Sequence, residues 1–92
     1  IDFDLIRQVR KLGVPLVLHG GTGLSDDILR QAVACGMAKM NFATELRQAN
    51  LDAIAAAAAG GAGLLDALAQ GLAAVAEVAR RKLAVTGSVG KA

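Results

Sequence analysis

The 92 residues contain no tryptophan and no tyrosine, two phenylalanines, and one each of proline, cysteine and histidine. Each scarcity excludes something. Aromatic residues make up 2% of the chain, so the stacking groups of a nucleic-acid surface are missing, and no nucleic-acid partner is expected. A lone Cys35 rules out an internal disulfide and fits a reducing, cytoplasmic setting. Its neighbours Ala32, Val33, Ala34 and Gly36 are apolar or side-chain-free, so it is predicted to be a small core residue rather than a nucleophile. No segment has the basic start and apolar middle of a signal peptide. The apolar run from Ala53 to Leu65 is rich in alanine and glycine. It falls short of the roughly 18 residues of a spanning helix, so no membrane partner is expected. Charge of one sign is also scarce: the formal net charge is +2. The excess gathers in Arg80, Arg81, Lys82 and Lys91, which are predicted to be solvated surface charges.

What is abundant is small and apolar. Hydrophobic residues make up 54%, but alanine supplies much of this and buries little area. By area bookkeeping at about 25 cal/mol per Å2, such a chain builds a thin core and is not expected to be stable alone. Residues 1–92 read as a single segment, and the opening Ile1 fits a start partway into a longer protein.

The pattern along the chain predicts helix, strand, helix, strand, helix, helix. Asp2 to Leu12 carries Phe3, Ile6 and Val9 on one stripe, with Gly13 suited to the C-cap. Pro15 blocks helix continuation, and Pro15 to Leu18 reads as a parallel strand buried on both faces. Ser25 can cap a second helix, with Asp26 and Asp27 at its positive end, running to Cys35 and stopping at Gly36. Ala38 to Phe42 is the next strand. Thr44 is expected to cap a third helix with Glu45 in its first turn. Gly60, Gly61 and Gly63 break that helix, and a fourth begins near Leu64. Leu64, Leu68, Leu72, Val75 and Ala79 form an apolar stripe at helical spacing. The tail from Thr86 to Ala92 reads as loop. Two parallel strands joined by a helix make one βαβ crossover, which leaves its own sheet edges open.

Chemistry concentrates at the two strand ends. His19 ends the first strand, and Gly20, Gly21, Thr22 and Gly23 follow. A histidine there is a metal ligand or a satisfied structural group. The glycines either turn backbone N–H groups toward an anion beside a helix start or simply permit a tight turn. The stretch is not a P-loop, because the lysine is missing and the spacing is wrong. At the second strand end Asn41 offers two donors and an acceptor to a substrate oxygen, or ties down a turn. Thr44 can serve a helix cap, a phosphate, or both. Glu45 and Arg47 read as surface or interface charges.

Together the residues suit a phosphorylated substrate beside a cation, and the loops after the last two strands of an eight-stranded α/β barrel commonly hold phosphate. The stretches Val14-Pro15-Leu16-Val17-Leu18-His19-Gly20-Gly21-Thr22-Gly23 and Ala38-Lys39-Met40-Asn41-Phe42-Ala43-Thr44-Glu45-Leu46-Arg47 closely resemble class II ketose-bisphosphate aldolases of the fructose- and tagatose-bisphosphate group. The opening Ile1 to Asp4 and the closing Arg81 to Ser88 are similar to that family too. The resemblance implies an α/β fold, the carboxyl-terminal portion of a (β/α)8 TIM barrel: its last two βα units plus trailing helices. It implies reversible cleavage of a phosphorylated ketose to dihydroxyacetone phosphate and an aldehyde, a glycolysis-type reaction of carbohydrate metabolism. His19 would be one of three zinc ligands. Gly20, Gly21 and Thr22 would hold the phosphate, with Thr22 where serine is common. Asn41 would touch the enediolate region, Phe42 would complete the pocket, and Ala43 and Thr44 would donate to phosphate. A monovalent cation near the phosphate and a homo-oligomeric assembly are further implications.

The family's other two zinc histidines and its catalytic aspartate have no counterpart here. The isolated 92 residues are therefore expected to be inactive and to need the remainder of an aldolase chain. Ala55 to Gly63 replaces a segment usually richer in charged and aromatic residues. The alternatives are a non-catalytic, alanine-rich helical interaction module, a divergent inactive relative, or another phosphate-binding barrel such as an isomerase or synthase. The aldolase assignment requires the His19 ring to converge with the loops that begin at Gly20 and Asn41.

Overall fold

Local signals set the elements of the computed structural model, which describes residues 1–91. They are α1 (Phe3–Arg10), β1 (Leu16–Leu18), α2 (Asp26–Cys35), β2 (Met37–Met40), α3 (Thr44–Ala59) and α4 (Leu64–Val85). The order matches the expectation. Asp2 caps α1 by accepting the Leu5 amide at 3.0 Å. The helix stops earlier than expected: Lys11, not Gly13, is its C-cap. The Leu12 and Gly13 amides bond back to Val9 and Arg10 at 3.0 and 2.9 Å, tightening the last turn. Ser25 caps α2 as expected, accepting the Ile28 amide at 3.3 Å. Gly36 closes α2 at φ 115, a left-handed geometry that favours glycine. The Arg10 side chain lies where a Cβ on Gly36 would sit, so α1 and α2 meet at that point.

β1 and β2 are parallel, with Leu16 beside Met37, Val17 beside Lys39 and Leu18 beside Met40. α2 is the crossover between them and packs on β2. β1 is not buried on both faces: Val17 is 43% exposed, because β2 is the strand's principal neighbour.

α3 and α4 form an antiparallel hairpin across the Gly60–Gly63 turn. Their seam is built from small residues, with Ala57, Ala67 and Gly71 buried. Asn50 and Ile54 of α3 occupy the space a Cβ on Gly71 would need. The expected stripe on α4 does not form this seam. Leu64 and Leu72 are 73% and 70% exposed. The small residues allow the closer helix approach, so they take the inner face and the leucines turn outward.

The core is thin, as the alanine content implies. Leu29 is the one large side chain fully buried among the described residues. Cys35 is also buried, as a core residue. The Cα radius of gyration is 16.5 Å, against about 12 Å for a compact chain of this length. No helix among the described residues is long and apolar enough to cross a membrane. The tail is turn and loop as far as Lys91; Ala92 lies outside the described residues.

Candidate active site

The parallel pairing brings the two strand ends side by side. The ladder runs on past the strands: the Asn41 amide donates to the Leu18 carbonyl at 2.9 Å, and the Gly21 amide donates to the Asn41 carbonyl at 3.2 Å. The loops after β1 and β2 are therefore laced together by backbone bonds. On this frame the His19 ring meets Asn41, with Nδ1 3.2 Å from the Asn41 side-chain nitrogen. The ring is exposed. With the amide as drawn, Asn41 donates to Nδ1. Turned end for end, the amide accepts Nδ1–H and leaves Nε2 with a free lone pair.

The glycine loop has divided labour. Gly20 and Gly23 adopt φ 68 and 86, which lets the chain reverse directly after His19. Gly21 is buried and meets a different need. A Cβ there would lie 2.5 Å from Cε1 of Phe42. Its amide is already committed to Asn41, so this glycine seats the second loop against the first. Phe42 is half-buried against Gly21 and faces inward.

Thr44 was expected to cap α3, but the N-cap is Ala43, which has no side-chain cap. The missing cap comes from the other loop: Oγ1 of Thr22 accepts the Glu45 amide at 3.4 Å. The first intrahelical bond runs from Arg47 to the Ala43 carbonyl at 3.0 Å. The Thr44 and Leu46 amides have no helical partner, and the N-terminus of α3 carries the positive end of the helix dipole. Thr22, Ala43 and Thr44 thus surround an anion-ready helix start, next to His19 and Asn41.

Two residues gain a role that sequence reasoning missed. Lys82 is buried, at 8% exposure. Its Nζ lies 3.0 Å from Oε2 of Glu45 and 5.2 Å from the Phe42 ring centroid. Lys82 is therefore not a solvated charge, and Glu45 is not a free surface acid. Arg81 reaches the other oxygen of Glu45 at 3.5 Å, from an exposed position. The signal available was the spacing of Lys82 from Gly71 on α4, which puts it on the inner face with Ala67, Gly71 and Val85. Arg47 is exposed, as expected of a surface charge.

A catalytic zinc site takes three protein ligands. Among the described residues no group of three or more His, Cys, Asp or Glu is placed to hold a metal. His19 can offer one nitrogen ligand, with Asn41 beside its ring, and a three-ligand set is not completed among the described residues. A groove of about 720 Å3 runs along β2, Phe42 and the end of α4 and does not include His19 or the glycine loop.

Residues 1–91 match the family described as class II fructose-bisphosphate aldolase. The chain is 44% identical over 55 residues to the uncharacterized protein YdjI of Escherichia coli strain K12, covering 59% of this chain and 20% of that protein. Its mixed α/β fold superposes over 100% of its length on the crystal structure of the YdjI aldolase from Escherichia coli K12, with a TM-score of 0.92 and 38% identity. The chain spans 36% of that solved chain.

Proposed function

The chain belongs to the class II fructose-bisphosphate aldolase family, and from that premise we propose that it forms the carboxyl-terminal part of a zinc-dependent ketose-bisphosphate aldolase. The whole protein would cleave a phosphorylated ketose reversibly to dihydroxyacetone phosphate and an aldehyde. In this proposal β1 and β2 are the last two strands of a (β/α)8 barrel, and α3 and α4 trail them. The observation that carries it is the meeting of His19 with Asn41 beside the glycine loop and the start of α3.

Each group has a task. His19 would hold one coordination position of a bound zinc. Bound zinc would supply Lewis-acid polarisation of the substrate ketone. Asn41 keeps the imidazole oriented and presents its amide to the substrate oxygen that gains charge on carbon–carbon cleavage. In the Gly20 to Thr22 loop the Gly20 and Thr22 amides, with the Ala43–Thr44 start of α3, would receive the phosphate through backbone N–H groups and the helix dipole, on the frame set by the Gly21–Asn41 bond. Gly21 and Phe42 contribute by holding the loops together. A monovalent cation beside the phosphate and assembly into a homo-oligomer complete the proposal, by resemblance to the family.

The test is made on the complete protein that carries this segment. His19→Ala should lose bound zinc, read by elemental analysis, and retro-aldol cleavage, read by release of the triose phosphate. Normal turnover in that variant would overturn the assignment.

A further inference from the structure

We propose that Lys82 is a positioning residue, through which α4 fixes the relative placement of the two loops that receive phosphate. The proposal rests on the aldolase assignment for its ligand, while the contacts it uses are independent of that assignment. Lys82 is the buried charged residue among the described residues, at 8% exposure. A buried ammonium is costly unless paired, and its removal leaves the partner charge unpaired. Its partner is Glu45, at 3.0 Å. The same Nζ sits over the Phe42 ring, 5.2 Å from the centroid.

Both partners lead straight to the glycine loop. The Glu45 amide is bonded by Oγ1 of Thr22 at 3.4 Å. The Phe42 ring fills the space beside Gly21, where a Cβ would be 2.5 Å from its edge. One cation on the fourth helix therefore grips the start of α3 through a carboxylate and the loop after β2 through an aromatic ring. Each of those groups in turn meets a loop residue, Thr22 or Gly21. Arg81 shares Glu45 but is 59% exposed, so it adds little. Lys82 acts on the phosphate through these neighbours, which makes it a positioning group and not a catalytic one.

The experiment uses the complete, zinc-loaded protein with Lys82→Met, Lys82→Arg and the double variant Glu45→Gln/Lys82→Met, which leaves no unpaired carboxylate. Inorganic phosphate is the probe, titrated by calorimetry, alongside kcat, KM for the ketose bisphosphate and zinc content. Lys82→Met and the double variant should raise KM and weaken phosphate binding about tenfold or more, since small misplacements far from the chemistry are costly. Zinc content should stay at the wild-type value, and Lys82→Arg should recover most of the loss. Wild-type phosphate affinity and KM in folded Lys82→Met would overturn the proposal, as would a fall in kcat alone. If Lys82→Met does not fold, the double variant decides by the same readouts. A wild-type protein that neither binds phosphate nor cleaves the ketose would instead sink the aldolase assignment. The backbone amide resonances of Gly21 and Thr22 would then still report on Lys82: displaced signals in Lys82→Met support its positioning role, and unmoved signals refute it.

Discussion

Gly21→Ala isolates the close approach of the two loops. The added methyl would meet Phe42 atoms at 2.5, 3.1 and 3.2 Å, whereas carbon atoms rest at about 3.5–4.0 Å. The ring must retreat by about an ångström to restore that spacing. Retreat carries it away from the loop it braces and out from under Lys82. Overpacking of this kind costs about 1–3 kcal/mol, a factor of about 5–150 in the folding equilibrium. Gly20→Ala is the control. It meets nothing within 4 Å but sits at φ 68, a backbone cost of about 1–2 kcal/mol. Urea unfolding of the complete protein would give both values. The discriminating measurement adds Phe42→Leu to each. Removing the ring should recover at least about 1 kcal/mol in the Gly21→Ala background, since contacting residues couple. It should recover nothing beside Gly20→Ala. Additive effects in both backgrounds, or a Gly21→Ala protein as stable as wild type, would refute the seating of Phe42 on Gly21.

Asn41→Ala should weaken zinc binding of the complete protein about 10- to 100-fold, the usual cost of losing a group that orients a metal-bound histidine. Competition with a chelator would measure it, and unchanged affinity would break the link between Asn41 and His19. Gly71→Leu should force α3 and α4 apart, because Asn50 and Ile54 already fill the space; a loss of about 1–3 kcal/mol or more is expected in thermal or urea unfolding.

The βαβ unit was legible because its signals are local. Ser25 and Gly36 are a helix start and stop whose physics needs no partner, and both act as read. The pairing of His19 with Asn41 followed from topology, since parallel strands joined by one helix place their carboxyl ends together. What could not be read depends on contacts distant in sequence. Thr44 was given a capping role that falls to Thr22, because its own helix start had to be docked before the substitution was visible. Lys82 reads in sequence as one of four basic surface residues, with Arg80, Arg81 and Lys91; its burial depends on Glu45 arriving from α3. The leucines of α4 satisfied helical periodicity yet face outward, because periodicity shows that a stripe exists and not which neighbour it meets. Gly71 took the inner position through size alone.

The borrowed cap makes the first turn of α3 dependent on another part of the chain. Ala43 leaves the first turn of that helix prone to fraying until Thr22 arrives from the loop 23 residues away. Only the contacts of the α3–α4 hairpin beside the Gly60–Gly63 turn are local in sequence; the pairing of Glu45 with Lys82 spans more of the chain than the cap does. The turn that would greet the anion is secured only when the preceding crossover has docked against it, so readiness to meet a negative group belongs to the assembled unit and not to the helix alone.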